Sequence, residues 1–150
     1  MKKNILMLIL LMTVLVTGCE NNASNVSPEN IEIEQDDYIL SVKAQSDIIK
    51  NSLENDALTQ TDMNIKSQEL YELWDETLNY LWNELKNSLP EEEFIKLKDE
   101  QRIWITEKET AIEEVGKEFE GGSIYPLVVN SEAAKITEER VYELYELLKE

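Results

Sequence analysis

The side chains with the greatest chemical reach are few in this chain. Cys19, in "LMTVLVTGCENNAS", is the single thiol, and histidine is absent. A lone cysteine closes no internal disulfide and builds no cysteine zinc site. Without imidazole the chain also lacks the side chain that titrates near neutral pH and most often ligates metals. Four groupings remain. Glu91-Glu92-Glu93 is a run of carboxylates. Glycosidic hydrolysis needs two carboxylates opposed across a cleft, whereas consecutive residues of a first helical turn diverge and instead complement its positive end. Calcium asks for an oxygen-rich loop, and no D-x-[DN]-x-[DN]-G run is present. In "DEQRIWITEKE", Gln101 and Lys108 lie seven apart with Trp104 between them, on the apolar side of a helix. Polar groups there need partners. An internal hydrogen-bond network that fixes helix register meets that need, and is expected ahead of a surface groove. In "GGSIYP" and the later "TEER", Ser123 and Thr137 fit as helix caps, and Arg140 as the partner of a carboxylate on another helix. A nucleophilic Ser123 would require a base; with no histidine, a Ser-Lys pair is the formal alternative and has no support. The expected protein is a non-enzyme with no cofactor and no metal.

The elements that must position these residues begin at the N-terminus. Lys2 and Lys3 precede an apolar run from Ile5 to Val16, the length of a signal-peptide core and short for a membrane span. Val16-Thr17-Gly18-Cys19 follows, and the segment resembles a bacterial lipoprotein signal with its lipobox. An ordinary secretory signal with an incidental cysteine, or an uncleaved anchor, are the alternatives. On the lipoprotein reading, residues 1–18 are removed and Cys19 carries the lipid, palmitate included. The protein then works at the extracytoplasmic face of the cell membrane. Residues 19–37, rich in Asn, Ser and acids, form a flexible tether.

Beyond the tether the pattern is helical. Ile39, Val42, Ile49 and Leu53 share one face over residues 38–58, although Ser46 interrupts it, and this marks a possible extra helix. Thr59 or Thr61 can cap a helix starting near Asp62. Its stripe is Met63, Leu70, Trp74, Leu78, Leu81, Leu85 and Leu89. In "NSLPEEEF", Ser88 is the expected cap and Pro90 suits a first turn. Phe94, Leu97, Gln101, Trp104, Lys108, Ile112, Val115 and Phe119 form the next stripe, closed by Gly121-Gly122. "SIYPLVV" reads as an extended connector before Pro126. Asn130 or Ser131 then caps a last helix with Ala134, Thr137, Val141, Leu144, Tyr145 and Leu148 inward. A short junction between two long helices makes them antiparallel. The fold expected is all-α: a small antiparallel bundle of three to four helices, with residues 59–150 as the domain proper and the last helix lying across the hairpin.

Charge bounds the partner. Asp and Glu number 32 against 14 Lys and Arg, a net charge of −18. Removal of Lys2 and Lys3 with the signal leaves 12 basic side chains and a net charge of −20. Residues 90–120 alone carry 11 acidic and 5 basic side chains. Nucleic acid is excluded as a partner, since phosphates require clustered cations. Such a surface steers cationic partners toward it.

The motifs, in their order, resemble the lysozyme-inhibitor LprI-like domain. Asp75, Leu78 and Asn79 match its D-x-x-L-N, with Trp82 where Tyr is frequent. Gln101, Arg102 and Trp104 match Q-R-x-W, and Lys108-Glu109 stands for Arg-Asp. Gly121, Gly122 and Ser123 match a Gly-Gly-Ser segment, and Thr137 and Arg140 a final T-x-x-R. The resemblance spans about residues 59–148 and implies binding of lysozyme at the cell envelope. These motif residues are expected to be structural. Cysteines frequent in the family are replaced by Lys66, Ile112 and Glu132, so the core must hold the fold without crosslinks. The alternative is a structural or assembly lipoprotein that docks another envelope protein.

Overall fold

A computed structural model describes residues 28–149, with side chains from Gln35 onward. The signal segment 1–18, Cys19 and the tether up to residue 27 lie outside the described residues. Four helices make up the rest: α1 Pro28–Asn55, α2 Gln60–Ser88, α3 Glu91–Gly116 and α4 Tyr125–Leu147, with a 3-10 turn at Lys117–Phe119. No strand occurs among the described residues, and the fold is an all-α bundle.

Three expectations about helix ends need correction. The tether was expected to run to residue 37, yet α1 begins at Pro28. Packing holds residues 35–36 of the expected tether on the bundle: Gln35 is buried, and Asp36 accepts a hydrogen bond from the Tyr145 hydroxyl on α4. Ser88 does not cap α3. Its hydroxyl donates to the Glu84 carbonyl at 2.9 Å, finishing α2, and the Pro90 carbonyl receives the Glu93 and Phe94 N–H groups, each at 3.0 Å. "SIYPLVV" is not an extended connector either. α4 starts at Tyr125, with Pro126 in the first turn where its missing N–H costs nothing. Asn130 and Ser131 are therefore inside the helix, and neither Ser123 nor Thr137 is a cap. By contrast, Thr59 caps α2 as the sequence indicates. Its hydroxyl accepts from the Asp62 N–H, and the Asp62 carboxylate accepts from the Thr59 N–H, both at 3.2 Å.

Named contacts fix the helix directions. Tyr38 against Tyr80 and Ser46 against Trp74 make α1 antiparallel to α2. Phe94 against Trp82 and Lys108 against Tyr71 make α3 antiparallel to α2 as well. Asn130 against Ser67 and Tyr142 against Trp74 make α4 parallel to α2. The most extensive helix contact is this parallel pair, flanked by α1 on one side and α3 on the other. The hairpin partners α2 and α3 run antiparallel, but they touch mainly through long side chains.

Side-chain size is the reason. Ser67 and Thr77 on α2, and Ala133, Ala134 and Thr137 on α4, are small and buried, which permits close axes. The Thr77 and Thr137 hydroxyls donate to the carbonyls of Leu73 and Ala133, each at 2.7 Å, so no polar group is stranded in the seam. Tyr71, Trp82, Phe94 and Trp104 are bulky and hold α2 and α3 apart. The core is built from Leu70, Trp74, Leu78, Leu81 and Leu85 of α2 with Val141, Leu144 and Tyr145 of α4. Leu97 of α3 and Ile39 and Val42 of α1 complete it.

Ser46 has a role that periodicity hides. It is fully buried on the apolar face of α1, and its hydroxyl accepts the indole N–H of the equally buried Trp74 at 3.2 Å. What reads as an interruption of the stripe is the polar socket for the largest core side chain.

Candidate functional site

The space held open between α2 and α3 is a groove of about 410 Å³. Asp75, Leu78, Asn79 and Trp82 form the α2 wall, and Lys98, Gln101, Arg102, Trp104, Ile105, Lys108 and Glu109 the α3 wall. Nine of the residues singled out in the sequence therefore converge here: Asp75, Leu78, Asn79, Trp82, Gln101, Arg102, Trp104, Lys108 and Glu109. Their spacing explains it. Residues 75, 78, 79 and 82 share one face of α2, and 98, 101, 105 and 108 one face of α3.

Within the groove most polar groups have defined partners. Asn79 donates to the Asp75 carbonyl at 2.8 Å and to its carboxylate at 3.1 Å, one turn back along α2. Arg102 pairs with Asp99 at 2.8 Å on the exposed edge of α3. Gln101 is buried, and its amide oxygen accepts from Arg140 Nε at 2.9 Å. Arg140 was expected to reach a carboxylate on another helix; its acid is instead Glu143 of its own helix, at 2.6 Å. The cross-helix link is thus Arg140 to Gln101, joining α4 to α3. The Nη2 of Arg140 is buried with no hydrogen-bond partner among the described residues. Lys108 Nζ lies 4.9 Å from the Trp104 ring centre and 5.4 Å from that of Tyr71, and 3.4 Å from the Tyr71 hydroxyl. The stretch "DEQRIWITEKE" thus supplies a link from α3 to α4, Gln101 to Arg140, and one wall of the groove.

The other singled-out residues are elsewhere. Thr137 is in the α2–α4 seam. Gly121, Gly122 and Ser123 form the turn into α4, where Gly121 has φ 72°. That left-handed backbone suits glycine because a Cβ would crowd the following carbonyl. The Ser123 carbonyl accepts from Asn64 Nδ2 at 2.9 Å, tying this turn to the start of α2.

This tie defines one end of the bundle. The α1–α2 link and the turn at 117–124 meet there, opposite the end at which α1 begins. Glu54, Asp56, Asp62, Glu113, Glu114, Glu118 and Glu120 are exposed at this end, with Lys66 and Lys117 the nearby cations. The Asp62 carboxyl is held below its usual pKa by hydrogen bonds from the Thr59 hydroxyl and the Thr59 backbone N–H. Among the described residues no group of three acidic side chains could hold a metal ion, and no helix is long and apolar enough to cross a membrane.

Sequence reasoning missed Lys98, Ile105 and Tyr71. Each is an ordinary helix residue; the direction of α3 against α2 brings Lys98 and Ile105 to the groove and sets Tyr71 against Lys108. A signal for Lys98 and Ile105 did exist, since they continue the 101 and 108 register on one helical face.

Among known protein families, the model described as "Lysozyme inhibitor LprI" matches residues 52–144, which is 93 of the 150 residues and takes in α2, α3 and most of α4. No curated protein and no solved structure matches the chain.

Proposed function

Because this chain belongs to the lysozyme inhibitor LprI family, we propose that it captures a cationic lysozyme outside the cell membrane, to which a lipid on Cys19 holds it. The reading is non-enzymatic: family membership is that of an inhibitor, and the chain contains no histidine to serve as a base.

The observation that carries it is the acidic end of the bundle. Lysozymes of host defence are strongly cationic, and a dense field of carboxylates raises their encounter rate. Its placement supports the reading too. With the chain tethered through the residues preceding Pro28, α1 enters the bundle at the end holding the α2–α3 turn. The carboxylates around residues 54–62 and 113–120 then face away from the membrane, toward an arriving protein. Charge gives speed and attraction; inhibition also needs a shape-matched contact at the catalytic cleft.

The test mixes the lipid-free 20–150 chain with lysozyme and measures binding and cell-wall hydrolysis at low and at physiological salt. Binding and inhibition that both persist at about 0.15 M salt support the proposal, because screening there is already strong beyond about 8 Å. Absence of binding at low salt refutes it. Binding that disappears with salt, without inhibition, reduces it to nonspecific charge attraction. Glu118→Gln with Glu120→Gln should slow association more than it speeds dissociation.

A further inference from the structure

Capture of a cationic protein leaves the groove between α2 and α3 without a role, and three of the groove's lining side chains carry that partner's own sign of charge. Lys98, Arg102 and Lys108 line it against Asp75 and Glu109, in a chain whose acids outnumber its bases 32 to 14. Asp75 is engaged by Asn79, and Arg102 by Asp99. Lys98 and Lys108 have no ion-pair partner among the described residues, whereas Lys50 and Arg140 each hold a carboxylate at 2.6 Å. Around these two lysines stand the indoles of Trp82 and Trp104, one on each wall and both half-buried, with the amides of Asn79 and Gln101 between them.

This set of groups selects a ligand class. Indole faces stack on the C–H faces of sugar rings. The Asn79 amide oxygen and the Gln101 NH2, the halves of these amides with no partner among the described residues, exchange hydrogen bonds with hydroxyl and acetamido groups. Lysines without an ion-pair partner favour a carboxylate, and Lys98 and Lys108 equal in number the two acids of the lining, Asp75 and Glu109, so the groove is locally balanced within an acidic chain. A polyphosphate is disfavoured by the net charge of −18 and by the commitment of Arg102 to Asp99. An extended peptide finds no free backbone here, because both walls are helices whose N–H and C=O groups bond internally. The volume, about 410 Å³, falls within the range of small-ligand sites.

We propose that this groove binds a carboxylate-bearing saccharide, an acidic amino sugar or a short glycopeptide. Lys98 and Lys108 hold the carboxylate, and Trp82 and Trp104 flank the sugar ring. The proposal is independent of lysozyme capture, which uses the acidic end.

The experiment titrates the full chain in detergent with N-acetylmuramic acid, N-acetylmuramyl-alanyl-isoglutamine, neutral N-acetylglucosamine and the sugar-free peptide alanyl-glutamate, read by calorimetry and tryptophan fluorescence. The two acidic sugars should bind, and the neutral sugar at least about tenfold more weakly. Lys98→Gln, at an exposed position, should leave the melting temperature unchanged and weaken the acidic sugars about tenfold. Lys86→Gln, exposed on α2 away from the groove, should change nothing. No response up to about 10 mM, or equal affinity for acidic and neutral sugars, overturns the proposal. So does alanyl-glutamate binding as tightly as the glycopeptide, which would assign the groove to peptides. Lysozyme binding measured on the Lys98→Gln protein should be unaltered, which separates failure here from failure of the inhibitor reading.

Discussion

Replacing Ser46 by Ala opposes two physical effects whose sizes decide the sign. By pattern alone the change should stabilise, since Ala is a better helix former than Ser by about 0.5 kcal/mol and completes the apolar stripe of α1. The structure says the reverse. Ser46 and Trp74 are both fully buried, and the Ser46 hydroxyl accepts the Trp74 indole N–H at 3.2 Å. Without that acceptor the N–H is left buried and unbonded, which costs about 1–3 kcal/mol. The expected net loss is therefore about 0.5–2.5 kcal/mol. Urea unfolding followed by circular dichroism should show a lower midpoint at unchanged slope. The cause can be isolated by repeating Ser46→Ala in a Trp74→Phe background, where no indole N–H exists. There the substitution should be neutral or stabilising, giving a coupling of about 1 kcal/mol or more between the two sites. As a control, Ser41→Ala on the exposed side of α1 should lie within about 0.5 kcal/mol of the parent. A Ser46→Ala protein as stable as the parent, or more so, would refute the reasoning.

Thr59→Ala should destabilise by about 1 kcal/mol in the same assay, since the hydroxyl caps α2. The Asp62 half of that capping box gives a pH dependence. Its carboxyl pKa is lowered in the folded state by the Thr59 hydroxyl and backbone N–H. Its contribution is thus present above the ordinary carboxylate range and is lost as pH falls through the lowered folded value. Comparing Asp62→Asn with the parent, the stability gap should be open at pH 6 and close under acid titration. Gly121→Ala should cost about 1 kcal/mol through the φ of 72° alone, because an added Cβ meets no atom within 4 Å; Gly121→Asn, which tolerates that backbone better, should cost less in thermal melts. Cys19→Ala should move the protein from the membrane fraction to the soluble fraction of cells, and undiminished membrane retention would count against lipidation at that cysteine.

The candidate site was legible to the extent that it follows helical spacing. Gln101 and Lys108, seven residues apart, had to share a face with Trp104 near them, and Asp75, Leu78 and Asn79 had to share one on α2. That these two faces confront each other across open space did not follow. It depends on α3 running antiparallel to α2 and meeting it through long side chains such as Trp82 with Phe94 and Lys108 with Tyr71. The acids of residues 113–120 and of 54–62 are remote in sequence and meet at one end because α1 and α3 both run antiparallel to α2, with Asn64 tying the Ser123 carbonyl to the start of α2.

Sequence by itself determined the helices, because periodicity, capping residues and glycine act over a few positions: Thr59 with Asp62, the stripe from Leu70 to Leu85, and Gly121. It also determined the sign of the surface, since 32 acids and 14 bases cannot be neutralised by any fold. Tertiary structure alone decided where α1 and α4 begin. Gln35 and Asp36, polar enough to read as tether, pack against the bundle within α1, and Pro126 in the first turn of α4 is compatible with either a helix start or an extended segment until a core is available. It likewise decided that α2 lies closest to α4 rather than to its hairpin partner. Steric fit between small side chains is a property of two surfaces together, and no local rule encodes which pair will meet.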